Sequence, residues 1–182
     1  CSLIQNSESN VPDNMPLSHI DFSNCNLVGL DLNDRNLSNA DFSGANLASI
    51  ISGDVSGSPE SLPEGWKLIS GYLSGPSAVL TGANFSGVNL EGMDLSEAEM
   101  SGVSSGGVEG VPLQLPEEWN LINGYLIGPK ANLSGIDLKD LDLSQANLNG
   151  ISSGSVNGEP TALPENWNIV KGYLVGPTAN LQ

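Results

Sequence analysis

Ile20-Asp21-Phe22-Ser23-Asn24-Cys25-Asn26-Leu27-Val28-Gly29-Leu30-Asp31-Leu32 advances in steps of five. Each step is a triplet followed by two residues that are mostly polar or small. The triplet runs apolar or small, then Asp or Asn, then Leu or Phe. The beat continues through Arg35-Asn36-Leu37, Ala40-Asp41-Phe42 and Ala45-Asn46-Leu47. A period of five fits neither the period of about 3.6 of a helix nor that of about 2 of a flat strand. It fits a chain that takes a short extended step, turns a corner and repeats. One such step cannot bury its apolar residues alone, so successive coils must stack.

Composition agrees with an ordered repeat. The chain has 182 residues, of which 38% are hydrophobic and only 14% charged, a balance unlike that of disordered segments. Acidic residues outnumber Lys plus Arg by 21 to 5, giving a formal charge of -16. A surface this negative repels nucleic acid and anionic membrane. No apolar run is long enough to span a bilayer. The two cysteines, Cys1 and Cys25, do not make a disulfide framework. Cys25 sits at an inward position of the beat and reads as a small buried hydrophobe. Cys1 opens the sequence ahead of a short polar stretch, as the lipidated Cys of a mature bacterial lipoprotein does. It is read as a lipidation or processing position, against an arbitrary start or another proteolytic end.

Three near-copies of a longer block interrupt the beat, at 52–80, 105–133 and 153–181. Their shared pattern is S-G-x-V-x-G-x-P-x-x-L-P-E-x-W-x-[LI]-[IV]-x-G-Y-L-x-G-P-x-A-x-L. All the Trp and Tyr residues fall inside it. The interval from Trp66 to Trp119 exceeds that from Trp119 to Trp167 by five, so the copies differ in spacing by one whole step. The inward phase runs through Leu62, Leu115 and Leu163 and then breaks, because Leu62 and Leu80 are not a whole number of steps apart. A β-hairpin is expected to leave the coil there, at about 63–77, 116–130 and 164–178. The second copy carries Asn123-Gly124 between two apolar runs, a strong hairpin signal because a type I′ turn needs positive φ at both positions. Ser70-Gly71 and Lys171-Gly172 keep the Gly. A two-residue turn sets Ile122 opposite Tyr125, Leu121 opposite Leu126 and the Trp119 indole over Gly128. Both hairpin faces are apolar, so both should be covered. The first copy, with Lys67 and Ser74, is expected to be the exposed end of a row.

The triplets Ala40-Asp41-Phe42-Ser43-Gly44-Ala45-Asn46-Leu47, Ala83-Asn84-Phe85-Ser86-Gly87 and Ala146-Asn147-Leu148-Asn149-Gly150 resemble the pentapeptide repeat family. The resemblance covers Ile20 onward apart from the hairpins. It implies an all-β fold, a right-handed quadrilateral parallel β-helix or solenoid of five-residue units, here with three inserted β-hairpins. The first and third residues of each triplet would point inward, and residues four units apart would be neighbours. Phe22 would then lie under Phe42, and Asp21 beside Asp41, a repulsive pair unless solvated or bridged by a cation. Arg35 would sit at a costly inward position and reach an open end or pair with Asp34. Ser and Gly at 52, 57, 105, 110, 153 and 158 would leave thin places in the core. With four faces per coil and no face added by a hairpin, the first two hairpins project from one side and the third turns by about 90°.

The expected organisation is an N-terminal extension or cap at 1–16 and a single β-helix at 17–182. An enzyme is not expected, because His19 stands alone and no nucleophile, metal or phosphate-binding spacing is present. No cofactor and no metal follow. The expected function is a structural or interaction scaffold, extracellular or at the cell surface, that self-associates head to tail into a filament or binds another protein. Trp66, Tyr72, Trp119, Tyr125, Ile127, Trp167, Tyr173 and Val175 are the candidate contact surface, against simple packing at the hairpin corners. Two alternatives stand beside this. Some members of the family mimic DNA and bind gyrase, which the charge suits and the hairpins do not. The chain could also be a fragment of a longer surface repeat protein.

Overall fold

Each five-residue step closes on a tight turn. The Cys25 amide donates to the Phe22 carbonyl at 3.0 Å, and Leu30 to Leu27, Ala40 to Leu37 and Ala45 to Phe42 repeat the bond. The third residue of these turns has positive φ, as at Asn24 (54°), Gly29 (70°), Asn39 (56°) and Gly44 (65°). That is the type II pattern, which favours Gly and Asn at this place. The middle residue of the triplet locks the corner. Asp21 Oδ1 accepts the Ser23 amide at 2.8 Å, and Asp31, Asn36, Asp41, Asn84, Asn89, Asp137 and Asp142 each take the amide two residues on. The beat therefore needs Asp or Asn there because only a short side chain with an acceptor oxygen reaches that N–H.

The computed structural model describes residues 15–180. Two compact units are formed, one running to Leu80 and taking in Gly92–Glu99, the other comprising Thr81–Glu91 and the chain from Met100. Both are all-β, with short strands and isolated parallel bridges and no helix among the described residues. In the first, Asp21 pairs with Asp41, Asn26 with Asn46 and Asp31 with Ile51. In the second, Asn84 pairs with Ser104, Asn89 with Glu109 and Asp137 with Asn157. All these partners are four steps of the beat apart. First and third triplet positions are buried, Leu27, Leu32, Leu37 and Leu47 in one unit and Leu133, Leu138, Leu143 and Leu148 in the other. Phe22 and Phe42 stack with ring centroids 4.9 Å apart.

Where a block intervenes the coil lengthens. Ile51 pairs with Val79, Ser104 with Asn132 and Ser152 with Asn180, each pair wider than an ordinary coil by the same amount. The extra residues form antiparallel hairpins: β1 (Lys67–Ile69) with β2 (Tyr72–Ser74), β3 (Asn120–Ile122) with β4 (Tyr125–Ile127), and β5 (Asn168–Val170) with β6 (Tyr173–Val175). This corrects the expected turn of the third hairpin away from the second. The interval between Trp119 and Trp167 equals one lengthened coil plus one ordinary coil, with no face left over. Ser104, Asn132, Ser152 and Asn180 accordingly form one bridged column, and β3–β4 and β5–β6 leave the coil from the same face.

Other expectations are also corrected. Gly57, Gly110 and Gly158 do not fill inward places: their φ values are 74°, 71° and 73°, and Gly57 and Gly158 are exposed while Gly110 is half-buried. Arg35 is half-buried, and its guanidinium donates to the Met15 carbonyl. Cys25 is buried but is no simple hydrophobe, because it is disulfide-bonded. Burial alone does not distinguish a packed thiol from a bridged one. The reading of Cys1 and most of the 1–16 extension also lie outside the described residues.

Candidate functional site

Almost every letter of the repeated block has a physical job. Pro116 accepts the Trp119 amide at 3.1 Å across a turn whose third residue, Glu118, has φ of 65°. Chain direction then reverses at Asn123-Gly124, with φ of 46° and 82°, the type I′ pattern. Register follows from that turn: Ile122 opposes Tyr125 and Leu121 opposes Leu126. The Trp119 indole lies on Gly128 so closely that a methyl group there would sit 2.4 Å from Cδ2. Trp66 covers Gly75 and Trp167 covers Gly176 in the same way.

The hairpin folds back on the start of its own block. Val108 donates its amide to the Gly124 carbonyl at 3.0 Å, and Leu126 donates to Ser105 Oγ at 2.8 Å. The other copies repeat this clamp, Leu73 on Ser52 at 2.9 Å and Leu174 on Ser153 at 3.0 Å. Leu73, Leu126 and Leu174 are fully buried, so they fill the thin places that the small serines leave. Each Tyr ring rests on the Gly after that Ser, a methyl on Gly106 lying 3.3 Å from Tyr125 Cε1. The Ser, three of the Gly, the Val, the Trp and the Tyr of the pattern are thus one packing unit.

The expected contact residues separate on burial. Ile127 is fully buried and Trp167 is 9% exposed, which corrects both: they belong to the core cluster of their unit. Trp66, Tyr72, Trp119, Tyr125 and Val175 are half-buried. Tyr173 is 43% exposed, and beside it Val170 is 49% exposed, a residue the sequence argument had not singled out. The first hairpin is not the exposed one. Its Ile69 and Ser74 are buried, and the Ser74 hydroxyl donates to the Tyr72 carbonyl at 3.3 Å. Side-chain polarity misled here, because a serine that bonds its own strand is cheap to bury. Val111 and Leu113, 72% and 75% exposed, were also missed. Comparing copies reveals them, since Ser58 and Glu60, and Glu159 and Thr161, stand at those places.

The charged groups serve the turns. The Ser61 hydroxyl, and then the Ser43 amide, hold the Asp41 carboxyl below its usual 3.8. Ser23 does the same for Asp21, outweighing the opposing charge of Asp41, and the Ser144 amide does so for Asp142. Among the described residues no group of three or more His, Cys, Asp or Glu is placed to hold a metal ion, and no helix is long and apolar enough to cross a membrane.

The family model for pentapeptide repeats matches the chain in eight copies, over residues 17–49, 77–104 and 129–152. The stretches between and after these matches are the hairpin blocks. No curated protein and no solved structure matches the chain.

Proposed function

The chain is a pentapeptide-repeat protein, and we propose that it folds as a right-handed quadrilateral β-helix serving outside the cytoplasm as a non-enzymatic scaffold that self-associates end to end. The observation that carries this reading is where the polar side chains go. Asp and Asn of the beat accept backbone amides two residues on, so the commonest reactive groups of the chain are spent on making corners. What remains for recognition is apolar and lies at the interruptions, where Val111 and Leu113 stand exposed. Bridge partners four steps apart support four units per coil. The disulfide at Cys25 supports an oxidising compartment, since such bonds persist outside the reducing cytoplasm.

Light scattering over a range of protein concentrations tests the reading. Mass that grows with concentration is the expected result. A monomer at every concentration would reject self-association.

A further inference from the structure

One cleft of the second unit has both its walls within the repeat. Strand β3 supplies Asn120, Leu121 and Ile122, and the coil that follows supplies Asp142, Ser144, Gln145 and Ala146. Asp142 is bridged in turn to Ala162, so the cleft lies inside the stack. It encloses about 240 Å³. Its apolar lining lies deeper, with Ala146 buried and Leu121 and Ile122 half-buried, while Asn120, Asp142 and Gln145 are exposed at the rim.

The rim is rich in acceptors and holds one charge. Asp142 Oδ1 accepts the Ser144 amide at 2.9 Å, which fixes the carboxylate at the mouth and leaves it capacity for further donors. The side-chain amides of Asn120 and Gln145 bond no other group among the described residues. Lys139, on the preceding corner, does not line the cleft. The repeat itself shows what this copy lacks. In the first block the places of Asn120 and Ser144 are held by Lys67 and Glu91, a cation and an anion. The second block carries its anion at Asp142, where the first has Asn89, and has no cation at 120. In a chain of charge -16, a cation brought by another molecule is the complement.

We propose that this cleft receives an arginine side chain from a basic segment of a different protein. The alkyl stem lies on Leu121, Ile122 and Ala146, and the guanidinium meets Asp142, with the side-chain oxygens of Asn120 and Gln145 accepting further N–H groups. Arginine fits better than lysine, because its planar fork offers five donors to acceptors spread round a rim, whereas an ammonium is a point charge. The site needs no second copy of the chain, so it stands independently of the self-association reading.

Amide chemical shifts of the 182-residue chain, followed as an end-capped Gly-Arg-Gly tripeptide is added, test this. The amides of 120–122 and 144–146 should shift together and saturate. The same tripeptide with citrulline for arginine, neutral and of like shape, should bind about tenfold more weakly or less. Asp142→Asn should weaken arginine binding as much. It keeps the corner, because Asn84 makes the same bond to the Ser86 amide at 2.9 Å. Asn120→Lys, which sets at this place in β3 the residue that β1 carries, should also weaken binding by about tenfold, its own cation competing for Asp142. No shift, or shifts spread evenly over the acidic corners, would overturn the proposal, the latter by reducing it to general charge attraction. Equal binding of the citrulline tripeptide, or an Asp142→Asn or Asn120→Lys chain that binds as wild type does, would overturn it too. Shifts of the same amides that grow with protein concentration before any tripeptide is added would put a second copy in the cleft and overturn the different partner.

Discussion

At the scale of the residue, the Asp or Asn at the centre of each triplet is a turn former. Its Oδ1 holds the amide two residues on, while the residue after that amide adopts positive φ. Asn84→Ala removes the acceptor for the Ser86 amide and should lower stability by about 1 kcal/mol, the usual net worth of one such bond. Asn84→Asp keeps the acceptor and should cost less; urea titration of both variants measures the difference. The carboxylates carry a pH signature. Asp21, Asp41 and Asp142 titrate below 3.8 in the folded chain because serine groups donate to the charged form. Their contribution is complete above 3.8 and disappears as pH falls through the lowered folded values. Asp41→Asn should therefore flatten the acid limb of a stability-against-pH curve and leave stability near neutrality less than fully restored. The spacing of these residues was plain in the sequence. Their job was less so, because five-residue periodicity reports which side chains are buried and says nothing of where an exposed oxygen points.

At the scale of the element, the hairpins are small and their tolerance is correspondingly narrow. Gly128 lies outside the positive-φ region, so a side chain there is excluded only by the indole above it. Gly128→Ala should displace Trp119 and cost about 1–3 kcal/mol, read as a lowered thermal midpoint with a change in tryptophan fluorescence. Asn123-Gly124 made the hairpin and its register legible, and the pairing of Ile122 with Tyr125 follows from turn length alone. Exposure was not legible. Ser74 looked like a surface residue and is buried, while Val170 and Tyr173 look like core and are open. Strand composition fixes the two faces of a hairpin, but which neighbour lies over a face depends on the following coil. The shared face of β3–β4 and β5–β6 was misjudged for a related reason. Counting triplets between the blocks left a coil one face short, whereas the bridged column shows one lengthened coil and one ordinary coil.

At the scale of the whole molecule, two quantities set the working conditions: a charge of -16 and a disulfide at Cys25. Like-charged copies repel, so self-association should strengthen as salt screens that repulsion over a Debye length of about 8–10 Å. Reduction should lower the thermal midpoint, such a cross-link usually being worth about 2–4 kcal/mol. A Cys25→Ser variant should lose the sensitivity to reductant. The disulfide escaped the sequence argument because two cysteines carry no spacing pattern, and Cys25 falls where the beat already demands a small buried residue. The four-step separation of bridge partners, by contrast, was implied by the family resemblance, the beat supplying only the length of each step. Light scattering across a range of protein concentrations tests self-association most directly. The account predicts a mass that grows with concentration, and one mass at every concentration would contradict it.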